Sequence, residues 1–311
     1  MRTGSGAGPW AFCQLPSFSG PPLLLLALSG CRAGNDASRP SDVARPVAPS
    51  SGVENAPRAN VTPDPPPTDA RAPAQRVGQN VVSQPPPETD WCIETMRVLD
   101  ETTCYVLPEP QSSVLIIYFH GIVPPEKTSV QKTNLETVLA NAAHRARAAA
   151  LLPRGKQGFA PRGHERWWGW PTGEPAYGRH APELLAMVSE KREKLERLAG
   201  AAFQRVYLAG SSSGAYFVAV VALRGAFPAD GFAALSGGSG SITPELAQLP
   251  PKPFYIGYGS QDSVGPGARA LSELLRGAGW PVKIAAHPVG HGAKEVYLDE
   301  AFAFWRTHAP M

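Results

Sequence analysis

From residue 114 onward, short apolar runs alternate with longer segments of helical periodicity, and this alternation limits the possible folds more than any other feature. The clearest run, Val114–Phe119, is continuously apolar and rich in β-formers, as expected of a buried parallel strand. Further strands are predicted at 148–152, 206–209, 232–235, 254–258 and 282–286, and helices at 130–148, 181–199, 215–223, 266–278 and 293–307. This repetition predicts an α/β protein with a mainly parallel, doubly wound sheet and helices on both faces.

The amino-acid composition divides the chain into three zones. Residues 32–90 are rich in Pro and contain no Phe, Trp, Tyr, Leu, Ile or Met. Such a segment cannot bury enough apolar surface to offset the entropy that ordering would cost. We therefore predict a disordered, semi-stiff linker over 32–90. Residues 91–311 hold all eight Tyr and are long enough for one well-buried core, so they are predicted to form the folded domain.

The first zone, residues 1–31, has a short apolar stretch that ends in Leu28-Ser29-Gly30-Cys31. An apolar run that ends in small residues is typical of a secretory signal peptide. The last four residues also resemble the bacterial lipobox, in which a signal peptidase cuts before the Cys and lipid is attached to its thiol. This resemblance implies an exported protein of the bacterial cell envelope, lipid-anchored through Cys31 or else periplasmic or secreted. The alternative is a disordered N-terminus with a chance Leu run.

The charge balance argues against a nucleic-acid partner. Lys and Arg number 29 and Asp and Glu number 26, for a formal net charge of +3. No basic stripe is present to neutralise a run of phosphates. No apolar run in the sequence approaches the ~20 residues that a membrane-spanning helix needs, so contact with a membrane is expected only through the lipid anchor.

Two of the four Cys, Cys92 and Cys104, lie in the folded zone on either side of Asp100-Glu101. This dipeptide can turn two strands over 91–107 into an antiparallel hairpin, which would precede the parallel strands and bring the two sulfurs together. A disulfide is then expected, because exported proteins meet an oxidising compartment; two separate buried thiols are the alternative. The spacing is not a metal signature, since no second close pair of Cys or His accompanies it.

Gly210-Ser211-Ser212-Ser213-Gly214 fits the pattern G-x-S-x-G, and its position makes it informative. It follows the predicted strand over 206–209 and opens the predicted helix over 215–223, which is the strand–turn–helix arrangement of a nucleophile elbow. Such a turn raises the Oγ of Ser212 above the sheet and aims a helix N-terminus at developing negative charge. The alternative is a Ser/Gly-rich loop between a strand and a helix.

With this motif and this alternation, residues 91–311 resemble the α/β-hydrolase superfamily, and in particular its small carboxylesterases and phospholipase/carboxylesterase-like enzymes. The resemblance implies that Ser212 is the nucleophile. The family's acid commonly follows the strand after the next one, where Asp262 lies, and its His precedes the final helix, where His291 lies. The chain order Ser, Asp, His matches the family's order. For the base, His287 competes with His291, which is favoured because it lies between two glycines in a loop.

The same resemblance implies an oxyanion hole made of two backbone N–H groups. One belongs to Ser213, directly after the nucleophile. The other is expected from Ile122 in His120-Gly121-Ile122, which follows the strand over 114–119 and resembles the family's His-Gly turn. His120 is then expected to have a structural role rather than a catalytic one.

The long connection after the second parallel strand contains Trp167, Trp168 and Trp170. These residues are predicted to form an aromatic wall of a substrate pocket, as a Trp does after a similar strand in the family; a satellite core beneath the loop is the alternative. The connection between residues 235 and 254 is short and rich in Gly and Pro, which leaves no room for a large lid domain. We therefore expect an open site that prefers short acyl esters.

These features predict a serine hydrolase that cleaves carboxylic esters, of small-molecule or polymer substrates, through an acyl-enzyme on Ser212. No cofactor and no metal ion is expected. Two alternatives share the fold: a serine peptidase, and a catalytically silent domain that binds a ligand at the cell surface. The intact set of Ser212, Asp262 and His291 argues against the silent domain, because binding alone places no chemical demand on all three.

Overall fold

The computed structural model describes residues 89–240 and 250–308. The signal peptide predicted over 1–31, the lipid attachment predicted at Cys31, and all of the linker predicted over 32–90 except Thr89 and Asp90 lie outside the described residues. The described part of the chain forms a sheet with helices packed on both faces.

Eight strands and five helices make up the described part of the chain. The strands are β1 (Arg97–Asp100), β2 (Thr103–Val106), β3 (Val114–Phe119), β4 (Ala149–Pro153), β5 (Arg205–Ser211), β6 (Gly231–Leu235), β7 (Phe254–Gly259) and β8 (Val282–His287). The helices are α1 (Val130–Ala146), α2 (Glu174–Ala199), α3 (Ser213–Leu223), α4 (Gly265–Gly277) and α5 (Glu295–His308). Strands and helices follow one another from β3 onward in the predicted order, which includes two successive strands, β6 and β7, between which residues 241–249 are not described.

The strands form an eight-stranded sheet in the order β1-β2-β4-β3-β5-β6-β7-β8. The pairs β1–β2 and β2–β4 are antiparallel, and the remaining neighbours are parallel. The predicted mainly parallel sheet with an N-terminal antiparallel hairpin is therefore confirmed. Because parallel strands end at the same edge of a sheet, the loops after β3, β5, β6, β7 and β8 meet at one place, where ligands of open α/β sheets bind.

Alternating side chains of the parallel strands divide the core into two layers. On β3, Leu115, Ile117 and Phe119 face the layer formed with α2, α3 and α4. Ile116 and Tyr118 face the opposite layer, formed with α1 and α5. Every residue of β3 is buried, which explains why this strand is a continuous apolar run rather than an alternating one.

Helix α2 begins at Glu174, earlier than the predicted start at residue 181. Gly173 precedes the helix, and a Pro in the first turn fits a position where no intrahelical N–H bond is lost. The ring of Tyr177 is buried and packs against Phe217 of α3, with the ring centroids 5.7 Å apart. Tertiary packing therefore extends the helix beyond the segment that has clear helical periodicity.

The antiparallel hairpin at the start of the domain consists of β1 and β2, and the predicted disulfide is present. Cys92 and Cys104 are bonded, with their Cα atoms 5.5 Å apart. Cys104 lies in β2, whereas Cys92 lies ahead of β1, in a segment whose N–H groups at Ile93 and Met96 donate to the Glu136 carboxylate over 2.7 and 3.3 Å. The disulfide thus joins the sheet to the segment that precedes the hairpin, rather than one strand to the other.

The connections at the carboxyl edge of the sheet are loops. Across residues 89–240 and 250–308, no lid domain is inserted between the strands and helices. The longest described connection runs from β4 to α2, over residues 154–173. None of the described helices is both long enough and apolar enough to cross a membrane.

Candidate active site

Ser212 lies on a sharp turn between β5 and α3, at the carboxyl edge of the sheet. Its backbone has φ 53° and ψ −120°, a conformation that costs a non-glycine residue about 1–3 kcal/mol. The N–H of Ser212 donates to the carbonyl of Leu235 on β6 over 3.0 Å, which holds the turn against the neighbouring strand. This is the geometry of a nucleophile elbow.

Two glycines let the backbone pass closely at this turn. A Cβ on Gly214 would lie 2.0 Å from the carbonyl oxygen of Phe119, and a Cβ on Gly210 would lie 2.5 Å from the backbone of Gly214. Both distances are far below van der Waals contact, so a larger residue at either position would force β3, β5 and α3 apart. The glycines of the motif are therefore required by the packing of the turn.

Asp262 and His291 are hydrogen-bonded to each other beside this turn. Asp262 follows β7 and His291 lies in the loop between β8 and α5. The distance from Asp262 Oδ2 to His291 Nδ1 is 2.8 Å, and Asp262 Oδ1 accepts the N–H of Val264 over 3.3 Å. The carboxylate is 3% exposed and the imidazole 50% exposed. A buried carboxylate thus orients a solvent-accessible imidazole through Nδ1, which leaves Nε2 for proton transfer.

Ser212 and His291 line the same cavity, which has a volume of about 470 Å³. Its walls come from the loop after β3, the first turns of α1, the β4–α2 loop and the loop before α5. The lining residues include Ile122, Gln131, Asn134, Leu135, Pro161, His164, Trp167 and Ala293. Among the described residues that line it, there is no Asp, Glu, Lys or Arg. The cavity therefore suits an uncharged ligand better than a charged one.

The loop after β3 packs directly on the turn of Ser212. A Cβ on Gly121 would approach the Cβ of Ser212 to 3.2 Å, so Ile122, the next residue, lies beside the turn and lines the cavity. Ser213 is the first residue of α3, a position whose N–H has no partner within the helix. The two residues predicted to form an oxyanion hole therefore flank Ser212.

His120 is buried and holds the loop after β3 in place. Its Nε2 accepts the N–H of Gly155 over 2.8 Å, and its Nδ1 bonds to the carbonyl of Gly121. Complete burial lowers the pKa of His120 to about 3, so the ring is neutral and its proton is on Nδ1. His120 is not among the residues that line the cavity, in agreement with the structural role that the sequence predicts for it.

Of the three tryptophans predicted to form a pocket wall, Trp167 lines the cavity, together with His164, whose ring centroid is 4.4 Å away. Trp168 is half-buried and packs beneath the guanidinium of Arg154, at 4.2 Å from its ring centroid. Trp170 is fully buried against aromatic rings of β3 and α3, at centroid distances of 4.8 and 5.3 Å. The prediction is wrong for Trp170, because its ring completes the core, and Trp168 lies behind the wall rather than in it.

His287, the alternative base, ends β8 and is not among the residues that line the cavity. Its Nε2 lies 3.5 Å from both the Glu300 carboxylate and the Tyr255 hydroxyl, and its side chain is 14% exposed. This geometry favours His291 as the base.

Within the described residues, no group of three or more His, Cys, Asp or Glu is placed to hold a metal ion.

Several residues at the site, among them two amides of α1 and a serine after β6, are not singled out by the sequence. Gln131 and Asn134 of α1 line the cavity, and the only available signal is a pair of amides three residues apart at the start of the helix. Ser236 follows β6, is fully buried and has φ 48°. Ser236 lies in a run of Ser and Gly, and nothing in such a run indicates that a serine rather than a glycine adopts the positive φ.

No protein-family model matches this chain, and no curated protein sequence matches it. Among solved structures, it is similar to the carboxylesterase from Mesorhizobium loti, with 20% identity, a TM-score of 0.50, and coverage of 67% of this chain and 94% of that chain. It is also similar to the Bacillus cereus carboxylesterase, with 15% identity, a TM-score of 0.49, and coverage of 66% and 93%. The likeness to the M. loti structure, at this identity, concerns the fold alone. Together with the strand order and the turn at Ser212, it shows that the described domain has the α/β-hydrolase fold.

Proposed function

We propose that the protein is a serine hydrolase that cleaves carboxylic esters through an acyl-enzyme on Ser212. The observation that carries this proposal is that Ser212, on its strained turn, lines the same cavity as His291, whose imidazole is hydrogen-bonded to the buried carboxylate of Asp262. The M. loti structure of the same fold is described as a carboxylesterase, which supports an ester substrate.

In the proposed acylation step, Ser212 Oγ attacks the ester carbonyl carbon and its proton passes to Nε2 of His291. The carbonyl π electrons move to oxygen, and the N–H groups of Ile122 and Ser213 stabilise the resulting oxyanion. As the oxyanion collapses, the C–O bond to the alcohol breaks and His291 returns the proton to the leaving oxygen. Asp262 holds the imidazole in the required tautomer and stabilises its cation.

Deacylation repeats these steps with water as the nucleophile. His291 takes one proton from the water, whose oxygen attacks the acyl carbon. Collapse of the second oxyanion breaks the bond to Ser212 Oγ, which recovers its proton from His291, and the carboxylic acid leaves. His291 is half exposed and lines the cavity, so water can reach it once the alcohol has left.

Labelling with a fluorophosphonate tests the proposed nucleophile directly. This reagent mimics the tetrahedral intermediate and forms a stable bond only with an activated serine. We expect stoichiometric labelling of the folded protein, and peptide mapping should place the adduct on Ser212. A protein that hydrolyses aryl acetates without being labelled, or that is labelled elsewhere, would contradict the proposal. A protein that does neither would point to a silent binding domain.

We expect the enzyme to prefer short acyl chains. The cavity at Ser212 holds about 470 Å³, and its walls are loops and the start of α1 rather than a helical lid. Comparison of kcat/KM across aryl esters from acetyl to palmitoyl should show a fall of about 10-fold or more toward the long chains. Emulsified lipid should produce no increase in rate. A preference for palmitoyl, or activation by emulsion, would instead identify the 154–173 loop as a lid.

We also propose that the domain acts outside the cytoplasm, tethered by lipid on Cys31. The lipobox-like Leu28-Ser29-Gly30-Cys31 supports this placement, and a disulfide between Cys92 and Cys104 suits an oxidising compartment. Mass spectrometry of the native N-terminus is expected to find a chain that begins at a lipid-modified Cys31. An unmodified Cys31 within an uncleaved leader would contradict the tether, while leaving the proposed hydrolysis unaffected.

A further inference from the structure

The last residue of β6 and the turn that follows it contact both the turn of Ser212 and the neighbouring strand β7. The carbonyl of Leu235 accepts the N–H of Ser212 over 3.0 Å, and the N–H of Ser236 donates to the carbonyl of Gly257 on β7 over 2.8 Å. A Cβ on Gly237 would lie 2.5 Å from the Cβ of Ala215 on α3. The turn is therefore packed tightly between β7 and the helix that begins after Ser212.

The hydroxyl of Ser236 reaches from this turn to the loop that carries His291. Ser236 Oγ accepts the N–H of Gly292 over 3.2 Å and lies 3.1 Å from its carbonyl oxygen, to which it donates. Gly292 directly follows His291 and has φ 104°, in the left-handed region that favours glycine. Ser236 is fully buried, so water does not compete for these two hydrogen bonds.

Few hydrogen bonds hold the loop of His291, although the backbone of Val289 packs closely on β7, where a Cβ on Gly259 would lie 2.0 Å from the Val289 carbonyl oxygen. The loop from residue 288 to residue 294 contains no helix or strand, and the imidazole is 50% exposed. The bond to Asp262 sets the tautomer and the direction of Nδ1. Asn134 Nδ2 contacts the carbonyl of Ala293 only at 3.5 Å. Among the described residues, the side chain that hydrogen-bonds the backbone directly next to His291 is Ser236, through Gly292.

We infer that Ser236 is a positioning residue, whose hydroxyl holds the His291 loop at the distance from Ser212 that proton transfer requires. This inference rests on the proposed function. The two consecutive residues at the end of β6 bond the backbone of Ser212 through Leu235 and the backbone of Gly292 through Ser236, so one short segment sets the separation of nucleophile and base. Asp262 orients the imidazole through Nδ1, and Ser236 fixes the position of the loop that carries it.

The backbone conformation of Ser236 allows a test that distinguishes this positioning role from a merely structural one. Its φ of 48° lies in the left-handed region, where a glycine would fit without steric cost. If the serine served only to form the turn, its replacement by glycine would leave activity unchanged. If its hydroxyl holds Gly292, the same replacement lowers activity.

The test compares Ser236→Gly and Ser236→Ala by steady-state kinetics with an aryl acetate and by thermal unfolding. Both variants lose the hydroxyl, but the glycine variant loses the backbone strain as well, so it should melt no lower than the alanine variant. We expect kcat to fall by about 10- to 100-fold in both variants, with little change in KM. Ser272→Ala is the matched control, because Ser272 is also buried and its Oγ has no partner among the described residues.

A second readout follows the His291 loop itself. The proton NMR signal of the Asp262–His291 hydrogen bond should broaden in both Ser236 variants and stay unchanged in Ser272→Ala. A folded Ser236→Gly variant with full kcat and an unchanged signal would overturn the inference. That result differs from failure of the proposed function, in which the protein would show no labelling of Ser212 and no turnover to be altered.

Discussion

Replacement of Ser212 with alanine is expected to remove nearly all ester hydrolysis, lowering kcat by about 10⁴-fold or more. The substitution deletes the atom that forms the bond to the acyl group, so neither acylation nor deacylation can occur through the proposed route. The turn should survive, because its conformation is held by the bond from the Ser212 N–H to Leu235 and by the packing of Gly210 and Gly214. Thermal unfolding of the variant should match that of the parent protein, while aryl acetate turnover is lost.

Alanine substitutions of the neighbouring serines are the matched controls. Ser213 contributes its backbone N–H to the proposed oxyanion hole, and its buried Oγ has no partner among the described residues. Ser213→Ala should therefore retain substantial activity, and so should Ser211→Ala. Loss of turnover in either control, together with an active Ser212→Ala variant, would mean that the nucleophile has been assigned to the wrong serine of the motif.

The parallel strands are predictable from sequence because burial on both faces produces continuous apolar runs. The prediction for β3 matches the observed strand at both ends. The prediction for β5 stops at residue 209, whereas the strand continues through Gly210 and Ser211. These small residues have low β-propensity, but they pair with Phe119 of β3 and Leu235 of β6. Tertiary pairing thus overrides local preference at the point where the strand meets the turn.

The order of strands and motifs along the sequence predicts the three central residues of the candidate site better than it predicts the residues around them. Ser212, Asp262 and His291 each follow a recognisable strand, and the sheet brings the three loops to one edge. Trp170 is different, because a tryptophan in a loop fits a core and a pocket wall equally well until the path of the loop is known. Ser236 is not predictable, since its role depends on a positive φ and on the position of Gly292, which is remote in sequence.

Replacement of His291 with glutamine is the second change for which we expect a very large loss, again about 10⁴-fold or more in kcat. Glutamine keeps polar atoms near Asp262 but cannot accept and return a proton at neutral pH, so the hydroxyl of Ser212 is no longer activated. The fold should be unaffected, because the imidazole is 50% exposed and its hydrogen-bond partner among the described residues is Asp262.

His287→Gln is the matched control for this change. It removes an imidazole four residues away that contacts Glu300 and Tyr255 and does not line the cavity. Activity near that of the parent protein is expected, because no proposed step uses this side chain. If His287→Gln were inactive and His291→Gln active, the roles of the two histidines would have to be exchanged.

A double variant decides whether Ser212 and His291 work as one unit. If His291 acts only by moving the proton of Ser212, then replacing His291 cannot lower the rate any further in a variant that already lacks the Ser212 hydroxyl. The variant that combines Ser212→Ala with His291→Gln should therefore retain the same residual rate as Ser212→Ala alone, and the two losses should not multiply. The measurement is aryl acetate hydrolysis by each single variant and the double variant at equal protein concentration. Multiplying losses would show that His291 assists turnover independently of Ser212, and the proposed proton transfer between them would then be wrong.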